Sequence, residues 1–317
     1  MTRRSNTSLA ALLLTQRLVD ADADPLRAAE YWPLLERVDD PGALLGRAAD
    51  DLAVQLGDAE LATRVAARFD AATAFAFELE RLEQTGIRVV ASVDEDYPAR
   101  LVERLGAAAP PLLHVVGSIG LLGGPALGVV GSRDVSPEGA EVAADAARAA
   151  VAHGWGVASG GAHGVDRLAM NAALDAGGSG IGLLADSLLR VTREPDVRIA
   201  IGEERLCLAT PFAPSAGFST GNAMARNRLI YALAEITLVV ASDVEKGGTW
   251  GGATEALRRG FGAVAVWTGG GGGDGNPALV ERGARPIDAV DQLWDPQPTP
   301  APRPPPSTET KQLHLGV

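Results

Sequence analysis

The chain has 317 residues, a formal net charge of −12, 38 glycines and a single cysteine. One cysteine excludes a disulfide framework and a zinc site built on cysteines, and it is typical of a cytoplasmic protein. The acidic balance argues against non-specific binding to duplex nucleic acid, because attraction to phosphate needs a surplus of Lys and Arg. A local basic groove remains compatible with this charge.

Residues 1–90 predict a small all-helical N-terminal domain of four or five helices. The segment is poor in glycine, and its apolar residues recur at helical spacing. Its first apolar run, residues 9–14, is too short to span a bilayer, and no clear cleavage site follows it. We therefore expect neither a membrane partner nor a targeting signal, and we expect a cytoplasmic location.

Residues 91–125 predict a connector that contains one short strand, LLHVVG, at 112–117. Residues 126–294 predict a Rossmann-like domain of the α/β class, because continuous apolar strands alternate with helical patterns. Such a pattern is typical of a doubly wound parallel sheet with helices on both faces. The predicted strands are 126–130, 154–159, 180–185, 205–209, 236–241 and 263–267, and the predicted helices are 137–153, 165–177, 222–235, 250–260 and 276–283. The proline-rich residues 295–317 predict a disordered tail.

The first candidate ligand loop is GVVGSRDVS, at 128–136. A strand ends at Gly131, and Ser132 and Arg133 precede a helix that begins near Pro137. Free amides at a helix N-terminus attract anions, and an arginine binds a phosphate with two hydrogen bonds. The loop therefore fits a phosphate site, and it also fits an ordinary turn with a surface arginine.

The second candidate loop is ASGGAHGVDRLAM, at 158–170. It follows a strand, so it lies at the carboxyl edge of the sheet, where open α/β folds bind ligands. Its glycines let the backbone approach a ligand closely. Asp166 either caps the next helix or accepts a hydrogen bond from a ribose hydroxyl. His163 either faces the ligand or is a solvated loop residue.

The third candidate is GNAMARNRLIYALAE, at 221–235, within a stretch from 205 to 234 that lacks any Asp or Glu. In an acidic chain such a stretch indicates a possible electrostatic groove. Arg226 and Arg228 cannot share a helix face, so we expect one to reach a ligand and the other to pair internally. Two solvated arginines are the alternative.

The fourth candidate is VEKGGTWGGATEAL, at 244–257. Amides, a hydroxyl and the cation of Lys246 together fit a phosphate nest. The loop is not a P-loop, because its lysine precedes the glycines. Trp250 either stacks on a base or packs at the start of the helix.

Taken in order, these motifs resemble the DNA-processing protein A family, also called DprA or Smf. The resemblance runs from about Tyr97 to Trp267 and includes Tyr97-Pro98, PPLLHVVG, GVVGSR, GWGVASGGAHGVD, GIGLLA, ARNRLI and GGTW. It implies an extended Rossmann fold that binds single-stranded DNA, protects incoming strands and helps to load the recombinase RecA during natural transformation. It also implies a homodimer, and neither a cofactor nor catalysis.

By position, the resemblance implies a set of DNA-binding or phosphate-binding residues. These are Gly131, Ser132, Arg133, Ser159, Gly160, Gly161, Gly164, Asp166, Arg226, Asn227, Arg228, Lys246, Gly247, Gly248 and Thr249.

The chain departs from the family pattern at several positions within the expected groove. Ala169-Met170 stands where the family has Ala-His, Ala223-Met224 where it has Phe-Pro, and Gly252-Ala253 where it has Thr-Ala. The proline-rich tail stands where a winged-helix module is expected. We therefore expect a divergent member of the family.

Two other classes of function remain open at this point. One is a nucleotide-binding or nucleotide-hydrolysing enzyme similar to the LOG-type phosphoribohydrolases, which fits Ser132-Arg133 and a downstream Glu255 at altered spacing. The other is a scaffold whose helical domain and tail recruit partners while the Rossmann core dimerises.

Overall fold

The computed structural model describes residues 4–295. Five helices come first, as the glycine-poor composition predicts, and they pack around a first helix whose residues 10–14 are fully buried. They are α1 (Asn6–Thr15), α2 (Ala28–Arg37), α3 (Ala49–Leu56), α4 (Ala59–Asp70) and α5 (Ala72–Glu83). Ser5 begins α1 by accepting a hydrogen bond from the amide of Ser8, which satisfies one free donor of the first turn.

A buried arginine stabilises the other end of α1. Arg68, on α4, is 1% exposed and donates hydrogen bonds to the carbonyl oxygens of Leu13 and Gln16. The last carbonyls of a helix lack partners within the helix, so this side chain satisfies acceptors that burial would otherwise leave unpaired. The helical region is thus held together by a polar contact as well as by its apolar core.

A nine-stranded sheet is the centre of the residues that follow these helices. Its strands are β1 (Arg88–Ala91), β2 (Leu112–Gly117), β3 (Ala126–Val130), β4 (Gly156–Ser159), β5 (Gly180–Leu183), β6 (Leu206–Thr210), β7 (Ile236–Val239), β8 (Ala263–Trp267) and β9 (Arg285–Ile287). Their order across the sheet is β1-β2-β6-β5-β4-β3-β7-β8-β9. The seven strands from β6 to β9 in this order pair in parallel, whereas β1 pairs antiparallel with β2, and β2 with β6.

Helices connect the strands and cover both faces of the sheet. They are α6 (Ala99–Leu105), α7 (Pro137–Ala152), α8 (Val165–Asp175), α9 (Leu188–Val191), α10 (Pro195–Gly202), α11 (Thr220–Leu233), α12 (Gly247–Arg259) and α13 (Asn276–Glu281). The predicted fold class is confirmed: a doubly wound, mostly parallel α/β sheet preceded by a helical region. No helix among residues 4–295 is long and apolar enough to cross a bilayer.

The predicted domain boundaries at 90, 125 and 294 stay a prediction. Strand β1 spans the first of them, and β2 belongs to the sheet although it falls in the predicted connector. Val89, Ala91 and Leu112 from these strands share the apolar core of the five N-terminal helices. The predicted tail lies outside the described residues, apart from Asp295.

The direction of the chain across the sheet reverses between β3 and β7. From β3 the chain moves outward through β4, β5 and β6, and it then returns to place β7 on the other side of β3, with Val130 opposite Val239. The helices that follow these two strands, α7 and α12, pack into the apolar cores on opposite faces of the sheet, so a crevice opens at the carboxyl ends of β3 and β7. In open α/β folds this is where ligands bind.

Candidate functional site

A cavity of about 590 Å³ lies in the crevice between β3 and β7; we name it the crevice cavity. Three of the four loops singled out from the sequence meet there, together with Ala162 and Asp166 from the remaining one. The predicted residues that line it are Gly131, Ser132, Arg133, Asp166, Arg226, Asn227, Lys246, Gly247, Gly248 and Thr249. Segments more than 100 residues apart in the chain thus line one cavity.

Hydrogen bonds between the loops fix the walls of this cavity. The amide of Ser132 donates to the carbonyl of Ala241 at 3.0 Å. The hydroxyl of Thr249 donates to the carbonyl of Gly131 at 3.0 Å, and the side-chain amide of Asn227 donates to the carbonyl of Gly248 at 3.0 Å. The side chains of Thr249 and Asn227 therefore hold the loops in place, while the loop backbone faces the cavity.

The N-terminus of α12 opens into the crevice cavity. Lys246 is extended, and Gly247 has a φ of +76°, a left-handed conformation that favours glycine. Within residues 4–295 no side chain caps this 13-residue helix, so its first amides lack a side-chain acceptor there. Uncapped amides and the positive end of the helix dipole together favour a bound anion.

Two buried side chains of opposite charge, Arg226 and Asp166, form the floor of the site. Arg226 and Asp166 are each 6% exposed; Arg226 Nη1 donates to the carbonyl of Leu183 at 2.6 Å, and the amide of Gly160 donates to Asp166 Oδ2 at 3.1 Å. A Cβ at position 160 would overlap the guanidinium of Arg226, so glycine makes room for it. Arg226 Nε has no hydrogen-bond partner among the described residues, so the floor of the site retains one free buried donor.

Burial changes the pKa of both members of this pair. It raises the pKa of Asp166 to about 6, against the opposing effects of the Arg226 charge and of hydrogen bonds from the amides of Gly160 and Ala162. Burial also lowers the pKa of Arg226, and the Asp166 charge opposes that effect. The site therefore contains a carboxyl group that changes its charge in mildly acidic solution.

Two exposed cations stand at the mouth of the crevice cavity. Arg133 and Lys246 form no ion pair with any residue from 4 to 295. The guanidinium of Arg133 lies 5.2 Å from the ring centroid of Phe218, a cation–π contact, and that ring is 52% exposed. Both charges are therefore available to an anionic ligand.

The remaining predicted residues lie elsewhere. Gly160 and Gly161 line a second cavity beside the first. Ser159 and Gly164 line neither cavity: the Ser159 hydroxyl donates to the carbonyl of Val129 at 2.6 Å, and Gly164, at φ +85°, packs against the backbone of the loop at 132–133. Their contacts are internal ones that hold the loops together.

Arg228 is the internally paired arginine that the i, i+2 spacing predicts. Its Nε lies 2.9 Å from a carboxylate oxygen of Glu255, and Arg259 lies 3.5 Å from the other oxygen. Trp250 is 7% exposed, with the guanidinium of Arg282 4.7 Å from its ring, so it packs at the helix start and is not available to stack on a base.

Sequence reasoning missed several residues of this site. Phe218, Met224 and Tyr231 all line the crevice cavity, and Phe218 and Met224 are about half exposed. The Tyr231 hydroxyl is buried and has no partner within the described residues. Phe218 could have been found, because it is an aromatic residue in the acid-free stretch just before the arginines of the third motif.

Residues 88–297 match the model of the DNA recombination-mediator protein A family. The chain belongs to this family. The match begins at β1, so helices α1–α5 lie outside it. The family resemblance inferred from the four motifs is therefore confirmed.

Two relatives of known sequence are DNA processing proteins DprA. The chain is 30% identical to the DNA processing protein DprA of Mycobacterium tuberculosis, in strains CDC 1551 and H37Rv, over 268 residues that cover 75% of this chain and 66% of the relative. The chain thus spans about two thirds of the length of the curated relatives it matches.

Two solved structures are similar in fold. DNA processing protein A of Streptococcus pneumoniae aligns with a TM-score of 0.67 and 23% identity, over 93% of this chain and 99% of that protein. DNA processing protein A of Helicobacter pylori, whose structure concerns its single-stranded DNA binding mode, aligns with a TM-score of 0.53 and 23% identity, over 65% of this chain and 93% of that protein. At 23% identity these two alignments show a shared fold.

Proposed function

We propose that the protein binds single-stranded DNA in one groove at the carboxyl edge of its sheet, with backbone phosphates in the crevice cavity. The observation that carries this proposal is the convergence of uncapped amides with Arg133, Arg226 and Lys246 in a chain whose net charge is −12. Cations concentrated in one cavity attract phosphate locally, while the acidic remainder repels nucleic acid.

The relatives support a single strand as the ligand. DNA processing protein A of Helicobacter pylori has a described single-stranded DNA binding mode, and this chain shares its fold. An exposed aromatic ring at the mouth of the cavity, Phe218, suits unstacked bases, which a duplex does not offer.

The alternative of a nucleotide phosphoribohydrolase is less favoured by the geometry. In that mechanism a glutamate assists cleavage of the N-glycosidic bond, and Glu255 is the candidate. Glu255 lines neither cavity, and its two carboxylate oxygens are engaged by Arg228 and Arg259. We therefore infer a binding protein and not an enzyme.

Family membership supports a wider role. We infer that the protein acts in the cytoplasm, protects incoming single strands during transformation, and assists the recombinase RecA. We also infer a homodimer, which sedimentation velocity of the full chain would show as a species of twice the 32.6 kDa chain mass.

Fluorescence anisotropy with a labelled dT oligomer at low salt tests the proposed function. We expect binding by the wild type and a loss of at least tenfold in Arg133→Ala, because a charge-assisted phosphate contact contributes about 1.5–3 kcal/mol. Arg148→Ala is the matched control: this arginine is exposed on α7, away from both cavities, and should leave affinity unchanged.

Two results would contradict the proposed function. One is the absence of dT binding by the wild type at low salt. The other is release of free base from nucleoside monophosphates, abolished by Glu255→Gln, which would favour the phosphoribohydrolase.

A further inference from the structure

A third cavity, of about 1430 Å³, lies between the N-terminal helices and the sheet; we name it the helix–sheet cavity. One side is formed by the segment between α1 and α2 together with side chains of α4 and α5. The other side is formed by β2 and by the loop at 211–215 that follows β6. None of its lining residues lines the crevice cavity, so the two are separate sites.

Much of the lining of the helix–sheet cavity is apolar. Leu26 and Leu112 are buried beneath it, and Leu18, Leu82 and Phe212 are half-buried around them. Apolar surface that is partly open to water gains free energy when hydrocarbon side chains cover it.

A buried amide in this lining has one end without a hydrogen bond. Gln16 ends α1 and is 6% exposed, and its Nε2 lies 2.7 Å from Nε2 of His114 on β2. Its Oε1 has no partner among the described residues. Whichever end of the amide faces the ring, the other end stays unpaired. The backbone of an extended peptide offers both N–H and C=O groups and can satisfy either end.

The charges around the helix–sheet cavity favour a cation. Each arginine that lines it already pairs with a carboxylate; these are Arg17, Arg27, Arg64 and Arg81. Asp22 and Glu60 also line it, are exposed, and form no ion pair with any residue from 4 to 295. Two negative charges are therefore available to a positively charged group.

Residues 296–317, outside the described part of the chain, have the matching chemistry. They contain two cations, Arg303 and Lys311, and one acidic residue, Glu309, in a chain whose net charge is −12. Alternate residues of an extended peptide share a face. The spacing of Lys311, Leu313 and Leu315 therefore gives an extended peptide one face that is both cationic and apolar.

The length of the chain selects Lys311 over Arg303. The carbonyl of Asp295 lies 3.3 Å from Arg285 Nη1 on β9, six strand spacings from β6 and seven from β2. At about 4.8 Å for each spacing, the distance to the cavity is about 29–34 Å. Arg303, eight residues after Asp295, reaches at most about 28 Å, whereas Lys311, sixteen residues after it, reaches about 56 Å.

We propose that the helix–sheet cavity is the docking site of residues 307–317 of this same chain. The docked segment places its cation at the two free carboxylates, its leucines on the apolar lining and its backbone at the Gln16 amide. This inference goes beyond the proposed function and is independent of it, because the cavity shares no residue with the groove for single-stranded DNA.

The test titrates a fluorescently labelled peptide with the sequence of residues 307–317, STETKQLHLGV, with the full chain and follows its anisotropy at low salt. In the wild type the tethered segment competes for the cavity at an effective concentration on the order of mM, so the peptide should bind weakly. The release variant, Lys311→Glu with Leu313→Asp, removes this competitor and should bind the peptide at least threefold more tightly. The matched control, Arg303→Glu with Ala301→Asp, makes the same charge changes too close to Asp295 to reach the cavity, and it should behave as the wild type.

A change in the cavity tests the same contact from the other side. Asp22→Lys, introduced into the release variant, should weaken peptide binding at least fivefold, because it replaces attraction of Lys311 by repulsion. Asp20→Lys is the matched control, since Asp20 is exposed and does not line the cavity. It should leave affinity for the peptide within twofold. Both substitutions are at exposed positions, so the fold is retained.

The proposal is overturned if the release variant does not bind the peptide. It is also overturned if the wild type and the release variant bind the peptide equally well, because the tethered segment then does not occupy the cavity. Equal loss of affinity in Asp22→Lys and Asp20→Lys, or no loss in either, would show that the peptide binds elsewhere and would likewise overturn it.

Discussion

At the scale of single residues, the site depends on a glycine that makes room for a buried arginine. The guanidinium of Arg226 occupies the space that a side chain at position 160 would fill. From there it donates a hydrogen bond to the carbonyl of Leu183 and lies close to Asp166. Arg226 thereby lies at the junction of the crevice cavity and the second cavity beside it. The charge at the floor of the groove is set by backbone geometry as much as by the arginine itself.

Gly160→Ala should displace this arginine. We expect the free energy of unfolding to fall by about 1–3 kcal/mol, because a buried charged hydrogen bond is broken, and affinity for dT oligomers to fall with it. Chemical denaturation and anisotropy measure the two effects. The control is Gly221→Ala on α11, where a Cβ meets only the Ser219 hydroxyl, at 3.9 Å. Equal affinity of Gly160→Ala and the wild type would contradict the assigned role of Arg226.

The pKa of Asp166 predicts a pH dependence of both stability and binding. It is about 6 in the folded state, against 3.8 for an unperturbed Asp. Between these values the folded state keeps a proton that the unfolded state has lost, so the contribution of Asp166 to stability decreases as pH rises through this window. Protonation also removes a negative charge beside Arg226, which favours phosphate.

Affinity for dT oligomers should therefore increase between pH 7.5 and pH 5.5, and by a larger factor in the wild type than in Asp166→Asn. Anisotropy titrations at matched ionic strength give both profiles. His163 is an exposed neighbour present in both proteins, so the difference between the profiles reports Asp166. Superimposable profiles would show that this carboxyl group does not act on the ligand.

At the scale of elements, the site follows from parallel strands that deliver their helices to one edge of the sheet. Helices α7, α8, α11 and α12 all begin at this edge, after β3, β4, β6 and β7. The sequence predicts this convergence because apolar strands alternate with helices. By the same rule the loops at 131–133, 226–227 and 246–249 lie at one edge of the sheet.

Other features could not be predicted from local sequence. Strand β9 has three residues, one of them Pro286, and a short edge strand with proline carries little apolar signal. Helix α12 begins at Gly247 and not at 250, because tertiary hydrogen bonds from Thr249 and Asn227 hold a glycine-rich turn that has low intrinsic helix propensity. The partner of Arg228, 27 residues away, is likewise a property of the packed fold.

The hydroxyl of Thr249 should stabilise the folded protein through its hydrogen bond from the start of α12 to the loop after β3. Thr249→Val removes its hydrogen bond to Gly131 without changing side-chain shape, so we expect the free energy of unfolding to fall by about 1 kcal/mol. Thr254→Val, five residues further along α12, is the control, because the Thr254 hydroxyl is buried without a partner among residues 4–295. That variant should be neutral or stabilising, and equal losses in the two variants would contradict the assignment.

At the scale of the whole molecule, the charge of −12 restricts how nucleic acid can bind. The surface as a whole repels phosphate, and the cations that face the crevice cavity are Arg133, Arg226 and Lys246. The family match covers the sheet and leaves α1–α5 outside it. The account therefore assigns strand binding to the groove at the sheet edge, with few phosphate contacts.

The most direct test of this claim is the salt dependence of equilibrium binding, measured for a dT oligomer and for a duplex of equal length. For three phosphate contacts on a single strand, the slope of log affinity against log salt should be about −2, and Arg133→Ala should reduce its magnitude by about 0.7. The duplex should bind at least tenfold more weakly at every salt concentration. Equal affinity for the duplex, or a slope that Arg133→Ala leaves unchanged, would contradict binding of a single strand in this groove.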